Sequence, residues 1–76
     1  MKDLVTDIAI ALVDYPDAVT VVEVKGTQST IMELHVAKVD VGKIIGKQGR
    51  TATAIRTILA AISAKDRKNY ILEIIE

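Results

Sequence analysis

Val41-Gly42-Lys43-Ile44-Ile45-Gly46-Lys47-Gln48-Gly49-Arg50 holds three of the four glycines in the 76-residue chain. Gly46 and Gly49 bracket two polar residues, so the segment can turn sharply and let another backbone approach closely. Upstream, Asp40 is placed to cap a short helix over Val41 to Ile45, which Gly46 ends. Downstream, a longer helix begins near Arg50 or Thr51. Ile55, Ile58, Leu59 and Ile62 share one stripe of it, and Ala52 extends that stripe toward the loop. The free N–H groups and positive dipole end of this second helix suit an anion. Lys47 and Arg50 add formal charge there, with Lys43 nearby. Spacing excludes two nucleotide-binding loops. A P-loop needs four residues between its glycines and then Lys-Ser or Lys-Thr, whereas three separate Gly42 from Gly46 and Gln48 follows Lys47. The G-x-G-x-x-G dinucleotide fingerprint does not occur.

Working outward, the residues before this segment alternate. Met32, Leu34 and Val36 fall on one face of a strand running from Thr30 to about Lys38, with Glu33, His35 and Ala37 on the other. An earlier strand, Val19 to Lys25, is dense in β-branched residues and too short for a helix. Gly26-Thr27-Gln28-Ser29 joins the two as an antiparallel hairpin. At the N-terminus, Leu4, Ile8, Ala11 or Leu12, and Tyr15 recur at helical spacing, so residues 3–14 read as an amphipathic helix. Pro16 disfavours helical geometry at Tyr15 and sets a turn over Asp14 to Asp17. After the long helix, Ser63 to Asn69 is polar and charged and reads as a loop. Tyr70 to Ile75 is a strongly apolar last strand. The order α-β-β-α-α-β predicts an α+β fold, a three-stranded sheet covered by helices on one face, in a single small domain over residues 1–76.

Composition narrows the function. Half the residues are hydrophobic and 26% are charged, the profile of a folded domain. There is no Cys, which excludes disulfides, thiolate metal sites and cysteine nucleophiles. Without Trp or Phe and with two Tyr, the core must be aliphatic, and base-stacking platforms are disfavoured. Net charge is zero but uneven: three basic residues face seven acidic ones up to Asp40, and seven face three from Val41 on. An anionic partner is therefore sought in the second half. No secretory signal is seen, and the charge-free run from Ile8 to Val13 is too short to span a membrane. The protein is expected to be cytoplasmic, without membrane insertion.

Ile44-Ile45-Gly46-Lys47-Gln48-Gly49 resembles the I-G-x-x-G core of the KH domain, a short helix before the loop and a long one after. The extra helix and strand ahead of that unit resemble the type II arrangement. Length, element order and the Gly-Lys-Gln-Gly-Arg-Thr-Ala run are together similar to the small single-KH bacterial proteins of the KhpA type. This resemblance covers the whole chain. It implies single-stranded RNA as the partner, with four nucleotides held along a GXXG loop by their backbone. Carried onto this chain, the RNA-binding residues are Gly46, Lys47, Gln48 and Gly49, flanked by Lys43 and Arg50. An aliphatic floor of Ile44, Ile45, Ala52 and Ile55 is implied, with strand residues near Met32 to Val36 contributing. These aliphatics compete for a place in the ordinary core. Ala52 departs from the family pattern, where a larger aliphatic residue is frequent, and makes the floor shallower.

Other residues carry less. His35 has no second His or Cys with which to build a metal site, and a surface role is expected. The carboxylates are scattered, so no catalytic residues, enzyme activity, cofactor or metal are expected. Lys65-Asp66-Arg67-Lys68 is a basic loop whose simplest role is solubility. Two functions follow. The first is a sequence-tolerant RNA binder acting as an RNA chaperone or post-transcriptional regulator. The second is a protein-interaction module in which RNA binding is secondary. Small residues beside the long helix's stripe place a two-fold homodimer interface on Ala54, Thr57, Ile58 and Ala61. The family resemblance adds pairing with a larger KH-containing Jag-type protein and a link to cell elongation.

Overall fold

The structure, a computed structural model, describes residues 1–75. Helix α1 (Lys2–Leu12) leads through a 3-10 turn (Pro16–Ala18) into strands β1 (Thr20–Lys25) and β2 (Ser29–His35). A second 3-10 turn (Lys38–Asp40) opens helix α2 (Val41–Ile45), and a third (Lys47–Gly49) separates it from helix α3 (Arg50–Asp66). Strand β3 (Asn69–Ile75) follows. The sheet order is β1-β2-β3, with β1 antiparallel and β3 parallel to the central strand. The expected α+β order and the hairpin are both present.

Alternation decides which face is buried. Val21 of β1, Met32 and Leu34 of β2 and Leu72 of β3 point to one side. There they meet Val5 and Ala9 of α1, Ile44 of α2, and Ile55 and Leu59 of α3 in a single cluster. Met32 and Leu34 are wholly buried, each contributing about 1.5–3 kcal/mol relative to exposure. Val22, Val24 and Ile71 lie exposed on the opposite face, so the helices cover one side of the sheet, as expected.

Element boundaries depart from the sequence reading by two residues or more in three places. Helix α1 ends at Leu12 rather than Asp14, and Val13 is extended. The carboxylate of Asp40 accepts the N–H groups of Asp14 (3.1 Å) and Tyr15 (3.0 Å), which draws the chain out of the helix. For the same reason Asp40 stands at the N-cap position of α2 without capping it. Its side chain is committed backwards, across the fold. Strand β2 stops at His35, opposite Thr20, the first residue of β1. Val36, just past the strand, remains in the core. Finally, α3 continues through Ala64, Lys65 and Asp66, where a loop was expected. Arg67 in the left-handed region (φ 57°) closes it.

The stripe of α3 also needs correction. Ala52, Ile55 and Leu59 are buried and Ile62 is half-buried, but Ile58 is 44% exposed. At about 100° per residue, Ile58 lies roughly 60° from Ile55 and 100° from Leu59. The three-stranded sheet does not reach round that far.

Candidate nucleic-acid interface

The parallel β2–β3 pairing requires a crossover, and the glycine loop sits at its midpoint, between α2 and α3. Gly46 has φ 79° and ψ 170°, a region open essentially to glycine alone. Crowding imposes the same choice: a Cβ there would lie 2.6 Å from the Thr51 Cβ and 2.8 Å from its backbone nitrogen. Gly49 adopts φ 74°, ψ 10° in open space. Between them Gln48 also turns left-handed, at φ 58°. The Gly46 N–H donates to the Gly42 carbonyl at 2.8 Å and the Gly49 N–H to the Gly46 carbonyl at 3.1 Å. Those two bonds hold the loop as a tight hook, with Lys47 and Gln48 exposed on it.

Helix α3 starts from Gly49 with no side-chain cap. The Arg50 N–H donates to the Lys47 carbonyl, and the N–H groups that follow in the first turn keep their partial positive charge for whatever stands in front of them. Lys47 and Arg50 are both exposed, and among the described residues neither forms an ion pair. The arrangement presents backbone donors and two mobile cations to an anion approaching from solvent.

Lys43 stands differently. Its ammonium is hydrogen-bonded and ion-paired with the Asp14 carboxylate and lies 3.9 Å from Asp40 Oδ1. The bond to Asp14 raises its pKa above the ordinary lysine value. The expected trio of cations is thus two free and one held.

The aliphatic residues divide as well. Ile44 is wholly buried, and Ala52 and Ile55 are 4% exposed, so all three brace the loop from inside the core. Met32 and Leu34 are wholly buried in the same core. Of the named aliphatics only Ile45, at 39% exposure, offers surface. Val39, on the turn ahead of α2, is 72% exposed. The sequence reading leaves it unassigned, between a strand ending near Lys38 and the cap expected at Asp40. Ala54, Thr57, Ile58 and Ala61 are all exposed along α3. Arg67 and Lys68 border a cleft of about 490 Å3 at the far end of α3, about 25 Å from the loop by helix length. That basic turn therefore belongs to a different surface. His35 is half-buried on β2, and among the described residues no cluster of metal-ligating side chains is found.

Comparison with known proteins agrees with this geometry. Residues 2–74 match the family described as KhpA/KhpB, KH domain. The chain is 59% identical over 75 residues to RNA-binding protein KhpA of Caldanaerobacter subterraneus, covering 99% of this chain and all of that one. It is 56% identical to RNA-binding protein KhpA of Clostridium acetobutylicum over the same spans. Against RNA-binding protein KhpA of Aquifex aeolicus the identity is 49% over 76 residues, all of this chain and 96% of that one. No solved structure matches at a comparable level of significance. No helix among the described residues is long and apolar enough to cross a membrane. With its hooked G-x-x-G loop between two helices of a one-sided α+β sheet, the chain belongs to the KhpA/KhpB family of KH domains.

Proposed function

We propose that this protein binds single-stranded RNA by its phosphate backbone at the Gly46–Gly49 hook. The observation that carries the reading is the exposed, uncapped turn into α3 with Lys47 and Arg50 beside it, in a family whose relatives are named as RNA-binding proteins. Ile45, next to Gly46, supplies exposed aliphatic surface beside the clamp, on which bases rest. With few phosphate contacts and no aromatic platform, one copy binds weakly and with little preference for sequence. That suits an RNA chaperone or post-transcriptional regulator in the cytoplasm, with no catalytic role.

Useful affinity then comes from pairing two copies. The exposed Ile58, flanked by Ala54, Thr57 and Ala61, supports a homodimer through α3. The same patch would serve a heterodimer with a larger Jag-type KH protein, which is where a role in cell elongation enters. If that pairing is the principal activity, RNA binding is secondary. Replacing Lys47 and Gln48 together by Asp tests the RNA-binding reading. Both side chains are exposed on the loop, so the fold stays intact while two negative charges face the phosphates. Loss of RNA binding in a folded protein, read by fluorescence anisotropy, is expected. Retained binding removes the loop from the account.

A further inference from the structure

We propose that Asp14 is an internal competitor for the RNA phosphate: it holds Lys43 in reserve beside the loop, and a bound phosphate displaces it. The proposal rests on the RNA-binding reading above. Lys43 rides on α2, three residues ahead of Gly46, so its cation belongs by position to the loop's electrostatic surround. Its ammonium is nevertheless occupied, by a carboxylate from the acidic first half of the chain.

That pairing is built into the fold. Asp40 is wholly buried, and its carboxylate accepts the backbone N–H groups of Asp14 and Tyr15. The segment bearing Asp14 is thereby tied to the first residues of α2, the helix that carries Lys43. Asp14 is delivered to its partner by its own main chain. The pair is also open to solvent, with the Lys43 side chain 45% and the Asp14 side chain 67% exposed. Exposed ion pairs are weak and screened by salt, so exchanging a carboxylate for a phosphate is inexpensive in free energy. In that exchange Lys43 keeps one anionic partner, while Asp14 turns to water. The parent protein gains little from its third cation, because the phosphate contact is offset by the pair it breaks.

Binding of an eight-nucleotide oligouridylate to the full chain, over a salt series, tests this with four proteins: the parent, Asp14→Asn, Lys43→Met and the double variant. Asp14→Asn keeps the backbone N–H that Asp40 holds, so its thermal unfolding should match the parent's. It should tighten binding about two- to fivefold at low salt. It should also steepen the log–log salt slope by about 0.7, because the Lys43–phosphate contact then no longer frees a carboxylate that takes up a counterion. Lys43→Met is the reference that lacks the reserve cation, and adding Asp14→Asn to it should bring neither the tightening nor the steeper slope. Unchanged binding in Asp14→Asn overturns the proposal. A gain that survives in the double variant also overturns it, because the effect would then be one of bulk charge. A parent that binds but does not respond to Asp14→Asn sinks this inference alone, whereas a parent that does not bind sinks the RNA reading with it.

Discussion

Gly46 and Gly49 look interchangeable in the sequence, one at each end of the same hook, yet they bear different loads. Gly49 needs only its left-handed backbone, with nothing within 4 Å of where a Cβ would stand. Gly46 combines a glycine-only conformation with contact against the main chain of Thr51. Gly46→Ala should therefore cost about 1–3 kcal/mol from backbone strain alone, plus the shift that Thr51 must make. Gly49→Ala should cost distinctly less. Urea unfolding midpoints check the order, and equal midpoints would mean that Thr51 yields freely. Both glycines were legible in the sequence because spacing exposes a loop. The engagements of Asp40 were not. It accepts from residues 25 and 26 positions away, and no local pattern announces so distant a partner. From the sequence, Asp40 read as a helix cap and Lys43 as a free cation, and the same long-range contact displaced both.

The elements were legible where periodicity is strong and blurred where chemistry is polar. The hairpin, the buried face of β2 and the short α2 follow from alternation and glycine placement. The last turn of α3 was missed because Ala64, Lys65 and Asp66 carry no apolar signal. What holds that turn is a polar link: Ser63 Oγ donates to the Leu59 carbonyl at 2.7 Å and accepts the Tyr70 N–H at 3.0 Å. This couples the helix end to the start of β3. The exposed position of Ile58 was likewise hidden by a stripe wider than the sheet beneath it. On the proposed dimer, Ala61 lies at the contact, so Ala61→Asp would set two carboxylates against each other across the two-fold axis. Sedimentation should show a folded monomer that binds short oligonucleotides like the parent and long ones less tightly. A variant that still sediments as a dimer would move the interface elsewhere.

At the scale of the molecule, a net charge of zero conceals a basic front formed by Lys47 and Arg50 around the uncapped end of α3. Two phosphate contacts that break no internal ion pair, at about 0.7 each, predict a parental log–log salt slope near −1.4. A slope steeper than about −4 would instead recruit Lys65, Arg67 and Lys68 at the far end of the helix. The topology that mounts this front also sets an order in time. The central strand makes two pairings of unlike span. β1 reaches it across the Gly26–Gln28 turn, whereas β3 reaches it only after everything from Val36 to Lys68 has been drawn in. Closing the longer circuit costs more chain entropy, and only its closure holds α2 and α3 in the relation that shapes the hook between them. A chain that has folded no further than its hairpin has no clamp. When β3 lets go of β2, the clamp goes with it, so the proposed grip on phosphate would be acquired late and surrendered whole.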